Sequence, residues 1–160
     1  MLLNSGKRVR WDALPLLAAA VAFERIVIQW WNWHSASRMA AGLTFGMYLA
    51  ILVSVTLLFL MAAVALPDEV EQDLDLREHY ARTFRRYWLL FSAQWALTSA
   101  VSIWAQHAIF KAHIQLLSPV WVILPIALAL AFIPNRLVQA AGLIGFLALY
   151  SVTFFGQTLA

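Results

Sequence analysis

Apolar runs separated by short polar interruptions dominate the chain, and five of them come close to or exceed the roughly 20 residues that carry a helix across a hydrocarbon core. They extend from about Leu14 to Trp33, Ala40 to Leu66, Tyr87 to Phe110, Leu116 to Ile133 and Leu137 to Phe155. The first contains Glu24, Arg25 and Gln29. The second carries no charge and stops at Pro67, which lacks a backbone donor and disfavours a helical residue before it. Pro125 lies near the middle of the fourth run and predicts a kink there. Only Pro134, Asn135 and Arg136 separate the fourth run from the fifth, which dictates a helical hairpin. Lys7, Arg8 and Arg10 before an apolar stretch imitate a secretory signal. Because Phe23, Glu24 and Arg25 follow Ala22 in place of a cleavage site, the first run is expected to be retained as a span.

Residues 67–86 form the one long polar stretch, and their charges are segregated. Asp68, Glu69, Glu71, Asp73, Asp75 and Glu78 come mostly first, and Arg77, Arg82, Arg85 and Arg86 follow. Acids at a helix start and bases at its end suit the helix dipole, with Asp75 as N-cap. Leu76, Tyr80, Phe84 and Trp88 recur every fourth position and make one apolar stripe. Glu78 and Arg82 are spaced for a surface ion pair worth only about 0.3–0.5 kcal/mol. The pattern predicts a short interfacial helix from about Asp75 that leads into the third span. Arg82, Arg85 and Arg86 would meet anionic headgroups there at roughly 1 kcal/mol each. The expected architecture is all-α: one integral membrane bundle over residues 1–160, with five transmembrane helices and that short cytoplasmic helix.

Composition sharpens this picture. The 160 residues are 63% hydrophobic and 12% charged, with a mean hydropathy of +0.76, whereas soluble domains carry roughly 25% charged residues. A disordered chain and a water-soluble enzyme are excluded. The absence of cysteine removes disulfides, thiolate metal sites and a cysteine nucleophile. The net charge of +3 comes from arginines that flank apolar runs, a pattern of membranes and not of nucleic-acid binding. With the N-terminus cytoplasmic, that side holds eight basic residues (Lys7, Arg8, Arg10, Arg77, Arg82, Arg85, Arg86, Arg136) and the other side two, Arg38 and Lys111. The distribution predicts an N-terminus inside and a C-terminus outside, with Trp30, Trp31 and Trp33 at the outer interface.

Leu66-Pro67-Asp68-Glu69, Asp75-Leu76-Arg77-Glu78-His79-Tyr80, Arg82 and Arg85-Arg86-Tyr87-Trp88 form a recurring combination, together with the cluster Gln29-Trp30-Trp31-Asn32-Trp33. Through about Trp88 the chain resembles a group of small bacterial multi-pass membrane proteins of unassigned function. The resemblance implies a bacterial inner membrane and no particular chemistry.

Small residues add a packing signal. Gly42, Gly46, Ala50 and Ser54 recur every fourth residue in the second span, as do Ser92, Ala96 and Ala100 in the third. Such stripes let helix backbones approach closely, either within the chain or between copies. Polar residues add a depth signal. At 1.5 Å per residue, Glu24, Arg25, Ser54, Ser99, Ser102 and Tyr150 all lie about 15–21 Å from the cytoplasmic ends of their spans. A charge at that level costs at least ~2.5 kcal/mol unless paired or hydrated. Glu24 is expected to face Ser54, Ser99, Ser102 and Tyr150, or to be kept protonated by desolvation. Arg25 points roughly 100° away and is a poor direct partner for it, or snorkels toward the tryptophans.

His34, His107 and His113 fall at the outer interface, where they could hold zinc, copper or a haem iron, or be ordinary wet side chains. The acidic run with His79 could be a cation site, but its spacing matches no calcium loop. No nucleophile elbow, zinc-protease motif or phosphate loop is present. Three functions compete. The first is a non-enzymatic protein working through helix association, as a homo-oligomer or accessory subunit. The second is a small transporter or channel with its polar layer around Glu24. The third is an interfacial enzyme or haem or metal protein using the outer histidines.

Overall fold

A computed structural model describes residues 8–39, 44–67, 73–108 and 120–154. Five helices account for most of them: α1 (Ala13–Met39), α2 (Phe45–Ala65), α3 (Leu76–Ala108), α4 (Val120–Leu130) and α5 (Arg136–Phe154). Four begin where a short polar side chain accepts amide hydrogens that the helix leaves free. Asp12 accepts from Leu14 at 3.0 Å, and Thr44 from Met47 at 3.4 Å. Asp75 accepts from Arg77 at 2.9 Å, and Asn135 from Leu137 at 2.9 Å. Before α1 and α3 lie two three-residue strands, β1 (Arg8–Arg10) and β2 (Asp73–Asp75), paired in parallel with Arg8 opposite Asp73.

This strand pair, which the polar pattern does not foretell, sets α1 and α3 at one end of the bundle. The starts of α1 and α5 are joined by the Asp12–Arg136 ion pair. Burial alone raises the Asp12 carboxyl, but hydrogen bonds from Arg136 and the Leu14 amide, with the charges of Arg136 and Arg77, outweigh it. The group is held below its ordinary value. α1, α3 and α5 therefore run in one direction, with α2 and α4 returning. α2 packs between α1 and α3, α4 lies on α3, and α5 lies on α1.

The exposed surface is inverted relative to that of a soluble domain. On α2 the buried stripe is Ser54, Leu58, Met61 and Ala65, while Phe45, Leu52, Val55 and Phe59 face outward. An apolar belt of that extent exceeds what soluble monomers expose and suits lipid. Among the described residues, three segments are long and apolar enough to cross a membrane: Ala13–Asn32, Phe45–Ala65 and Arg136–Thr153. The expected count of five is thus met by three. α3 has the length, at 33 residues, but Ser92, Gln94, Thr98, Ser99 and its tryptophans dilute its apolar character. α4, at 11 residues, spans only about 16 Å.

Two expectations are corrected here. The interfacial helix is not a separate element: Asp75 caps a single helix that continues unbroken through Ala108. At about 50 Å, α3 outreaches a hydrocarbon core of about 30 Å. Its protruding start carries the exposed Arg82, Arg85 and Arg86, with Arg82 on Glu78 and Arg85 over the Phe132 ring at 5.0 Å. The second expectation concerns close packing within the chain, one of the two roles open to the α2 stripe. Gly46 is exposed, and a Cβ there would meet nothing nearer than the Thr44 hydroxyl at 3.9 Å. Gly42 lies outside the described residues. The tight glycine is Gly142 on α5, where a Cβ would come within 2.6 Å of a Leu130 methyl on α4.

The core is an aromatic column rising through the bundle. Trp88 and Phe91, both fully buried, contact each other edge-on at 5.5 Å. Phe146 packs at a tilt against Phe91, 4.9 Å between ring centres, and leads to Tyr150 and Trp95. Buried Gln139 locks the base of the column. Its amide nitrogen donates to the carbonyls of Leu130 and Ile133, both at 2.7 Å. Its carbonyl accepts from the Tyr80 hydroxyl at 2.9 Å and from the Trp88 indole. One amide thereby closes the α4–α5 hairpin and fastens it to α3.

Candidate functional site

At the top of the aromatic column the helical phase of α1 brings a cation inward. Leu14, Ala18, Val21, Ala22 and Ile28 form its buried face, and Arg25 falls on the same face at 5% exposure. The guanidinium donates to the Gln94 carbonyl of α3 at 3.0 Å. Gln94 in turn donates to the Ser54 hydroxyl of α2 at 3.3 Å. The rings of Trp95 and Tyr150 flank the guanidinium, 4.8 and 5.0 Å from its central carbon.

These contacts are enough to hold a charge at that level. A desolvated cation–π contact is worth about 2 kcal/mol and a charged hydrogen bond about 1.5–3 kcal/mol. The insertion cost of a central arginine is about 2.5–3.5 kcal/mol. No carboxylate forms an ion pair with Arg25 among the described residues.

Above Arg25 a cleft of about 320 Å³ opens toward the end of the bundle away from β1 and β2. Gln29 and Asn32 of α1, Thr98, Ser99 and Ser102 of α3, and Tyr150 and Thr153 of α5 line it. Three buried donors around its floor lack acceptors: Arg25 Nε, Trp95 Nε1 and the Tyr150 hydroxyl. Each such orphan costs about 1–3 kcal/mol. A bound group presenting acceptor oxygens would remove that cost. An acceptor oxygen is what these donors lack, and all three are closed to solvent in this structure.

The polar residues singled out in the sequence are brought together, around a different centre. Ser54, Ser99, Ser102 and Tyr150 gather near Arg25 or its cleft. Glu24 is half-buried; one carboxylate oxygen accepts from Ser151 at 2.8 Å and the other has no partner. Gln94 and Gln139 carry both internal networks without having been singled out. Their signal was a lone amide within an apolar helix, which must find partners in lipid.

The outer histidines do not assemble among the described residues. His34 stacks on Trp30 at 5.5 Å, the side chain of His107 and all of His113 lie outside those residues, and no three His, Asp or Glu gather there to hold a metal. His79 contacts the carbonyl of Val64 at 3.2 Å. Comparison with protein families, with curated proteins and with solved structures finds no match for this chain.

Proposed function

We propose that the chain is a bacterial inner-membrane protein with five spans, N-terminus cytoplasmic and C-terminus outside, that binds and moves a small anionic ligand at Arg25. The reading is a small transporter or channel whose polar layer centres on Arg25 in place of Glu24. The observation that carries it is the buried guanidinium with orphan donors beside it, set at the floor of an open cleft of mixed polar and apolar lining. Five spans are supported by the length of α3 and by the α4–α5 hairpin, which returns to the Asp12 end of the bundle. The orientation is supported by Arg10, Arg77, Arg82, Arg85, Arg86 and Arg136 at that end.

The test uses the full chain in liposomes, with propionate as the anion and flux and thermal stability measured together. Tyr150→Phe removes an orphaned hydroxyl, so the protein is expected to gain stability while losing anion affinity. Arg25→Gln is expected to lose propionate transport, and Arg25→Lys to keep part of it. Wild-type flux in Arg25→Gln, or Tyr150→Phe with unchanged propionate affinity, would refute the reading.

A second reading, helix association as a homo-oligomer or accessory subunit, is favoured by Gly46. Its surface is open on an outward face of α2, where a partner helix in the bilayer could approach. Gly46→Leu is then expected to shift the detergent-solubilised mass toward the monomer; an unchanged mass would dismiss it.

A further inference from the structure

Beside the cleft a second cavity, about 530 Å³, runs between α1 and α2 on the lipid-facing side. Its walls are almost entirely apolar: Ile26, Trp30, Leu52, Val55 and Phe59, each exposed at the surface. Gln29 belongs to both cavities, lining the groove and the polar cleft alike. α1 thus has the hydrocarbon side of the bundle on one flank and the orphan donors around Arg25 on the other, with one half-buried amide between them. Each cavity falls within the roughly 300–1,000 Å³ range of small-molecule sites.

We infer that the groove between α1 and α2 is a lateral entrance from the bilayer, and that its occupant is a single-chain amphiphile with a carboxylate head. The head passes Gln29 to reach Arg25, and the alkyl chain stays in the groove. This inference rests on the anion-binding reading of the cleft and adds the ligand's class and route. Charge selects the head. The floor presents one guanidinium, with one nitrogen already on Gln94, and two neutral donors, while the neighbouring Glu24 carboxylate is held by Ser151; the unpartnered Nε edge of the guanidinium suits a planar carboxylate. The groove selects the tail, since it is lined by no charged residue and its walls include side chains exposed at the surface. An alkyl chain already dissolved in lipid gains little by moving into such a groove. Binding energy therefore resides in the head, and the groove governs access.

The experiment uses the full chain in nanodiscs with dodecanoate carrying bromine at its terminal carbon, which quenches nearby tryptophan fluorescence. Unlabelled dodecanoate and propionate serve as competitors. Saturable quenching is expected, competed by both carboxylates, with its amplitude reduced in Trp30→Phe because Trp30 walls the groove. Arg25→Gln is expected to weaken dodecanoate roughly 10- to 100-fold, the span of one charge-assisted hydrogen bond. Val55→Phe, which narrows the groove, is expected to lower the preference for dodecanoate over propionate. Arg25-dependent binding of both carboxylates with full quenching in Trp30→Phe, or with unchanged preference in Val55→Phe, would overturn the lateral entrance and leave the anion site standing. Failure of both carboxylates to saturate would overturn the entrance and the anion site together.

Discussion

Replacing Gln139 with leucine removes four hydrogen bonds while keeping most of the side-chain volume, so it isolates the polar lock at the base of the bundle. In the native protein Gln139 is 2% exposed and satisfies two donors and two carbonyls at once. Leucine leaves the Trp88 indole N–H, at 0% exposure, with no acceptor. A fully buried orphan of that kind belongs at the upper end of about 1–3 kcal/mol. The Tyr80 hydroxyl borders a surface pocket and can turn toward water, which puts it at the lower end of the same range. The carbonyls of Leu130 and Ile133 add about 0.5–1 kcal/mol each at the end of α4. The expected loss is about 4–6 kcal/mol, a large share of the 5–15 kcal/mol typical of folded proteins. Denaturant unfolding in detergent, followed by tryptophan fluorescence, measures it. Gln139→Glu keeps an acceptor for Tyr80 and Trp88 but turns a carboxylate oxygen toward two carbonyls. Only its protonated form can donate there, so this variant should regain stability as pH falls. A loss below about 1 kcal/mol for Gln139→Leu would refute the reasoning, because it would mean that the orphaned groups find other partners at no cost.

Further outcomes follow from the same geometry. Gly142→Ala should destabilise by about 1–2 kcal/mol, because its Cβ forces buried Leu130 out of place, and adding Leu130→Ala should remove the penalty of the glycine change; unfolding curves of the three variants check this. Gly46→Ala should be neutral or stabilising by up to about 1 kcal/mol, the helix-propensity gain at an open position. The Asp12 carboxyl lies below its ordinary 3.8 when folded. Its contribution should therefore be complete above that pH and fade as pH falls through the lower folded value. The melting-temperature gap between wild type and Asp12→Asn should be present at neutral pH and close in acid. Reporter fusions near Asp73 should be active in the cytoplasm and those at Ala160 outside, and an active periplasmic reporter near Asp73 would reverse the orientation.

The sequence made the helices and their punctuation readable. Pro67 follows the end of α2, Asp75 caps α3, and Pro134 and Asn135 fall in the turn between α4 and α5, because proline and cap chemistry act locally. The centre of the site was less accessible. Depth along the chain is the same for Glu24 and Arg25, so it cannot decide which of them faces inward. Rotation about α1 decides it, and that rotation is set by packing of Ala18, Val21, Ala22 and Ile28. Carrying that small-residue stripe one turn further would have selected Arg25. Gln94 is marked only by the need of a lone amide in an apolar helix for partners, which depth does not report. The α2 stripe leaves its partner open, within the chain or between copies. Close approach depends on which helix lies opposite, and nothing local to α2 says that the narrow crossing is at Gly142.

The pairing of β1 with β2 has a consequence for how the protein is made. β1 precedes α1 and α2, the first two candidate spans, and β2 follows them, so at synthesis β1 has no partner until the chain has been read through Asp75. With both helices crossing the bilayer as proposed, the pair can close only if α1 and α2 have been threaded as a complete hairpin that returns to the side of departure. A failed second crossing would leave β1 and β2 on opposite faces of the bilayer, with their edges open. The two short strands thus act as a latch that joins only after correct insertion. Arg8–Arg10 should accordingly become resistant to protease only once nascent chains extend beyond that point.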